Sequence, residues 1–220
     1  MLSRDAEHLY WLTRYVERLE NTARMINVHS ELMLDFPGDK SLGWKPIIKT
    51  MDSEKLFQNK YSEYSEISAV KFLGDDKENE NSIISSLEMA RYNARAIKDD
   101  LPRSATEQLN NLFNEFSGGM SSSSSRRKRA SYIYNVISGT QRFFGIISDN
   151  FSRGYAFEFM RLGRFVERID MNSRIIDSLC INKSNEQTHD FHTLEWVSML
   201  RTLSAHESFR KEIRGEIERG

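Results

Sequence analysis

The chain is predicted to fold as an all-α, multi-helix bundle, and three observations carry that expectation. It has 3 prolines and 11 glycines in 220 residues, about half the combined share of an average chain, so helix breakers are scarce. Apolar residues recur at spacings of three and four over long stretches. No run alternates apolar and polar residues for more than a few positions, as a half-buried strand would.

The elements follow in order. Ser3 caps a first helix with Asp5 and Glu7 in its opening turn, where acidic groups favour the helix dipole. Leu9, Leu12, Val16, Leu19, Ala23 and Ile26 form its apolar stripe, and Phe36-Pro37-Gly38 ends it beyond Leu34. Two shorter helices are expected over Trp44 to Phe57 and Ser62 to Leu73, the second stopped at Gly74-Asp75-Asp76. Ser82 opens another that runs past Ile97 and ends before Pro102, and a further one covers Arg103 to Phe116. Residues 118–128, with Gly118-Gly119 and five consecutive serines, read as a low-complexity loop. Helical periodicity resumes over Arg129 to Asp149, Ser152 to Leu179 and Thr193 to Ile217. The whole of 1–220 reads as a single helical domain.

Composition excludes several classes. With 31 Lys+Arg against 32 Asp+Glu, the formal charge of -1 gives no general attraction to nucleic acid or anionic lipid. Cys180 is the only cysteine, so an internal disulfide and a four-cysteine zinc site are both impossible. Its setting near the end of an apolar helix suits a structural thiol. No stretch approaches the roughly 20 apolar residues of a bilayer span, and the start MLSRDAEHLYW lacks the apolar run of a signal peptide. A cytoplasmic protein is expected. The run Arg126-Arg127-Lys128-Arg129 has no interleaved aromatics and reads as a solvated loop. No phosphate-binding loop or nucleophile elbow is present. Of the five histidines, only His189 follows a Glu by three, in the polar run NKSNEQTHDFH read as a loop. A di-metal helical site needs two such pairs and two further Glu residues, so neither a metal nor a cofactor is expected.

The informative feature is self-similarity. Residues 14–26, RYVERLENTARMI, align without gaps on 164–176, RFVERIDMNSRII. Arg14, Val16, Glu17, Arg18, Arg24 and Ile26 find identical residues 150 positions later. A fainter third copy places Glu88 and Arg95 seven apart, with Arg91 and Asn93 between them. An internally duplicated long amphipathic helix is the expectation. On a helix, Arg14, Glu17, Arg18 and Asn21 share one side, and Arg161, Arg164, Glu167 and Arg168 share the same side of the second copy. Glu20–Arg24 and Asp170–Arg174 have the spacing and order of favourable ion pairs. Met171 replaces Asn21 in the second copy. Three readings stay open: solvated charged faces, a buried Arg–Glu network fixing helix register, and a pocket whose guanidiniums fork onto a carboxylate or phosphate. Gly163, inside a helix at a cost of about 1 kcal/mol relative to Ala, is expected to permit a close helix approach.

The blocks MLSRDAEHLYWLTRYVERLENTAR, FLGDDKENENSIISSLEMARYNARAIKDDLP and FEFMRLGRFVERIDMNSRIID, in that order, resemble the Alpha-E domain of bacteria, and WVSMLRTLSAHESFRK is similar to it as well. That family is all-helical and named for its Glu-Arg motif. The resemblance implies residues Arg14, Glu17, Arg18, Asn21, Arg24, Arg91, Asn93, Arg95, Arg164, Glu167, Arg168 and Arg174 as its motif positions, with Tyr92 where an acidic residue is usual. Family members are commonly longer, so it also implies that the chain lacks the last helices. It implies an accessory role in a peptide-synthesis or peptide-modification system, beside an ATP-grasp amide ligase and a transglutaminase-like peptidase. The partner is then one of those proteins or a peptide substrate. The alternative is an enzyme of the same pathway, with Glu17 or Glu167 as acid/base among substrate-holding arginines.

Overall fold

The computed structural model describes residues 1–35, 43–117, 125–181 and 189–213, with the side chains of 179–181 and 189–192 left aside. Among the described residues there are ten helices and no strand: α1 (Ser3–Asp35), α2 (Lys45–Thr50), α3 (Glu54–Lys60), α4 (Glu66–Gly74), α5 (Ile83–Ala96), α6 (Arg103–Ser117), α7 (Arg126–Asn150), α8 (Tyr155–Ile181), α9 (His189–Thr202) and α10 (His206–Glu212).

Where expected helices split, the backbone takes a left-handed step. The stretch from Trp44 to Phe57 divides into α2 and α3 at Asp52, whose φ is +51°. The last expected helix divides into α9 and α10 beside Ser204, with φ +57°. Both are polar residues, for which this conformation is less costly than for branched ones. α4 starts later than Ser62 because Ser65 and Ser68 form a reciprocal capping box. α8 starts at Tyr155 rather than Ser152. The expected loop 118–128 needs correction at its end: Arg126-Arg127-Lys128 form the first turn of α7. Cations there oppose the helix dipole, and tertiary bonds offset this. Arg126 donates to the Ser30 carbonyl at 2.8 Å and Arg129 pairs with Glu66 at 2.7 Å. Residues 118–124 lie outside the described residues. So does Glu186, whereas His189 and His192 belong to α9 rather than to a loop.

α1 is the central element, packing against α5, α7, α8 and α9, while α6 bridges α5 and α7. Its stripe of Leu9, Leu12, Val16, Leu19, Ala23 and Ile26 is fully enclosed in the core. The α5 helix runs antiparallel to α1, since His8 meets Asn93 and Thr22 meets the Asn81 carbonyl. The α7 helix is antiparallel too, with Arg126 at Ser30 and Phe144 beside Thr13.

α8 differs. Thr13 donates to the Met160 carbonyl, Arg14 meets Glu167, and Met25 and Val28 face Ile175 and Ser178. Each contact joins residue i of α1 to a residue near i+150 of α8. The two helices therefore lie parallel and in register. Parallel neighbours need a long crossover, and α2 through α7 supply it.

Candidate functional site

The crossing of α1 and α8 is close because of Gly163. A Cβ there would overlap the Tyr10 carbonyl oxygen and lie 2.5 Å from Thr13 Oγ1. Thr13 uses that same hydroxyl to donate to Met160 O at 2.8 Å. Glycine lets the backbones approach, and the polar residues of the next turns then meet across the interface.

Six side chains form the seam. Glu167 accepts from Arg14 Nε at 2.6 Å and from Arg18 Nε at 2.6 Å, with Arg18 Nη2 adding a third bond at 3.1 Å. Glu17 accepts from Arg164 Nε at 3.1 Å and Arg168 Nε at 2.6 Å. Each carboxylate thus takes the two arginines that lie three before and one after the Glu of the other helix. The exchange is reciprocal, as in-register parallel packing of two matching stretches requires. Both carboxylates are sealed from solvent, at 0% and 1% side-chain exposure. The arginines are graded outward: 17% for Arg14 and Arg18, 30% for Arg164 and 39% for Arg168.

Aromatic rings hold the guanidiniums from their other sides. Arg14 lies 5.3 Å from the Trp11 ring centre and donates to the Tyr10 hydroxyl at 3.1 Å. Arg18 lies 5.5 Å from Tyr15, and Arg164 is stacked 3.7 Å over Phe144. Such contacts contribute about 0.5–2 kcal/mol each, more where water is excluded. Burial pulls the Arg14 and Arg168 pKa values down, but bonds to Glu167 and Glu17 outweigh it, and both stand above the ordinary arginine value. Four guanidiniums against two carboxylates leave a surplus of two positive charges.

A second tier of ions follows one turn on. Glu20 pairs with Arg24 at 2.5 Å and Asp170 with Arg174 at 3.2 Å. Glu20 Oε2 and Asn21 Nδ2 are buried without a hydrogen-bond partner. In the matching stretch of α8 Met171 stands where α1 has Asn21, and a polar pocket of about 140 Å³ opens beside it, lined by Arg18, Asp52, Asn81, Glu167, Asp170 and Arg174.

The other residues singled out from the sequence do not converge there. Glu88 is on the surface with Lys77 at 2.5 Å. Arg91 bonds Asn110 at 2.9 Å and lies 3.8 Å over Phe113, with a pKa lowered by burial and by Arg95. Asn93 is buried and ties α5 to His8 at 2.9 Å, and Arg95 is exposed. Arg161 turns outward to Glu158. Glu88, Arg91, Asn93 and Arg95 therefore go to separate settings, and none joins the seam. Tyr10, Thr13, Trp11 and Phe144 are parts of the site that sequence reasoning missed. Among the described residues no cluster of His, Cys, Asp and Glu has the arrangement of a metal site.

A family model described as a predicted alpha-helical domain with a conserved ER motif, Alpha-E, matches residues 1–220. The chain belongs to the Alpha-E family. Among the described residues, Glu-Arg occurs as Glu17-Arg18 and Glu167-Arg168, the two dipeptides that meet in the seam of this Alpha-E protein. No curated protein and no solved structure matches the chain. Among the described residues no helix is long and apolar enough to cross a membrane.

Proposed function

We propose that this Alpha-E chain is a non-catalytic, cytoplasmic accessory component of a bacterial peptide-synthesis or peptide-modification system, acting with an ATP-grasp amide ligase and a transglutaminase-like peptidase. One observation carries the non-catalytic half of this reading. Both oxygens of Glu17 and of Glu167 are engaged by guanidinium donors, and both side chains are sealed from solvent. A general acid or base must come within hydrogen-bond reach of the proton it moves; Glu17 is fully enclosed, and Glu167, which borders the polar pocket, has both oxygens already taken by Arg14 and Arg18. The seam acts instead as a register lock between two copies of one duplicated unit. The identity of the partners rests on family membership.

The polar pocket gives the enzymatic alternative little support. Asp52, Glu167 and Asp170 outnumber Arg18 and Arg174 there, so an anionic substrate meets carboxylates as well as arginines. The test is co-elution: the protein is mixed at micromolar concentration with the ATP-grasp ligase of the same system and resolved by size-exclusion chromatography. A shared peak is expected; separate elution overturns the proposal. Turnover of a peptide substrate by the protein alone, lost in Glu17→Gln while the fold persists, would favour the enzyme.

A further inference from the structure

A cavity of about 140 Å³ lies between α7 and α8, lined by Phe144 and Ile147 of α7, by Phe157, Met160 and Phe165 of α8, and by Thr13 of α1. No Asp or Glu lines it. Three arginines stand around it. Arg161 and Arg164 are part of the lining, and Arg153 lies 4.1 Å over the Phe157 ring while it donates to the Ser148 carbonyl at 2.9 Å. Arg161 has a carboxylate of its own on the surface, Glu158 at 3.1 Å. Arg153 has no ion-pair partner among the described residues, and Arg164 shares the single carboxylate of Glu17 with Arg168. Part of the positive surplus of the seam therefore borders this cavity.

The correspondence between α1 and α8 shows which group completes Arg164. Arg14, its counterpart at the offset of 150, donates from Nε to Glu167 and from Nη1 to the Tyr10 hydroxyl at 3.1 Å. Tyr10 corresponds to Met160, which has no oxygen. Among the described residues Arg164 makes one hydrogen bond, from Nε to Glu17, and its side chain is 30% exposed against 17% for Arg14. We propose that this cavity binds a carboxylate carried on one aromatic or branched apolar group, a carboxylate oxygen having at Arg164 the role that the Tyr10 hydroxyl has at Arg14. Charge selects a carboxylate over a neutral hydroxyl, because Arg164 and Arg153 are uncompensated. Phe144 covers one face of the Arg164 guanidinium and leaves its edge, which matches the planar fork of a carboxylate. The rings of Phe157 and Phe165 and the side chain of Ile147 select an apolar body. Volume sets its size: a cavity of about 150 Å³ takes a single benzene ring, so one side chain fits here and a helix does not. With no Asp, Glu, His or Cys in the lining, the site recognises and does not catalyse. Such a ligand is either a free apolar acid or the last residue of a peptide chain. The proposal stands whether or not the protein accompanies a ligase.

The probe is N-acetyl-L-phenylalanine, titrated into the full chain and followed by amide chemical shifts. Saturable binding is expected with Kd on the order of 1 mM, at least tenfold weaker for the corresponding amide, which lacks the charge, and for acetate, which lacks the ring. Arg164→Gln should weaken it at least tenfold. Because Arg164 also belongs to the seam, Ser148→Trp provides the second variant: it fills the cavity from an exposed position of α7 and should weaken binding as much, with the helical circular dichroism kept. Arg103→Gln, at a 93% exposed arginine of α6, should leave binding unchanged. Absence of saturable binding overturns the proposal, as does equal binding of the amide or binding that Ser148→Trp leaves intact. A tetrapeptide of three alanines ending in phenylalanine separates the two sources. Either order of affinity upholds the carboxylate site: tighter binding of the tetrapeptide assigns it to a peptide end, and weaker binding assigns it to a free acid.

Discussion

α1 and α8 carry the same motif in register, yet they sit in different surroundings. α1 is enclosed chiefly by α5, α7, α8 and α9, whereas α8 leans on α1 and its far side has no cover among the described residues. Despite this, Glu17 and Glu167 are equally sealed. Burial of the carboxylates is therefore a property of the α1–α8 crossing itself, and burial of the apolar stripe is a property of whatever lies over it. The ion pairs of the seam come from two helices and one glycine, with Phe144 of α7 stacked on Arg164 from outside. The cover is a separate structural matter, met for α1 by α5 and α7.

The contrast can be broken most strongly at the seam. Removing either carboxylate strands two guanidiniums, and loss of one member of a buried ion pair costs about 3–5 kcal/mol. Glu167→Ala should cost more than Glu17→Ala in urea unfolding, because Arg14 and Arg18 are deeper than Arg164 and Arg168 and rehydrate less readily. Equal losses would mean that the gradation in arginine exposure has no energetic weight. The stripe comes next. Leu12→Ala should cost about 2–5 kcal/mol as a core truncation, while its counterpart Leu162→Ala should stay within about 0.5 kcal/mol in the protein alone. A large loss at Leu162 would show that the α8 face is already covered.

Gly163→Ala should destabilise by about 1–3 kcal/mol through overpacking against Tyr10 and Thr13, despite the better helix propensity of Ala. Gly145→Ala in α7, where a Cβ meets nothing within 4 Å, should stabilise by up to about 1 kcal/mol. Thermal melts of the two variants should move in opposite directions. The smallest effect is expected at His29, which bonds the Gly43 carbonyl at 2.8 Å and lies edge-on to Trp44. Burial lowers its pKa below 6.5, partly offset by the Gly43 bond. The unfolded chain then binds a proton that the native one refuses, so stability is complete above pH 6.5 and falls as pH drops below it. His29→Gln should flatten that part of the stability–pH profile.

Much of this was legible in the sequence because helical periodicity is local. The span of α1, the Ser82 cap of α5 and the Glu20–Arg24 pair follow from residues within a turn or two of each other. The matched stretches 14–26 and 164–176 singled out all six residues of the seam. Their reciprocal pairing was not readable, because spacing within one helix is silent about which neighbour it meets or in which direction. Glu88 and Arg95 show the limit: their separation repeats the motif, but the α5 helix is antiparallel to α1 and turns them elsewhere. The breaks at Asp52 and Ser204 escaped notice for a related reason. A single left-handed residue leaves no mark on a hydrophobic pattern, and neither position has a glycine or proline to flag it.

The register of 150 residues also sets a timetable for synthesis. At about 5–20 residues per second, a ribosome that has made Glu17 needs roughly 8–30 s more before Arg164 and Arg168 exist. Throughout that interval the first carboxylate is without Arg164 and Arg168, so the lock between α1 and α8 closes only after residue 168 has been made.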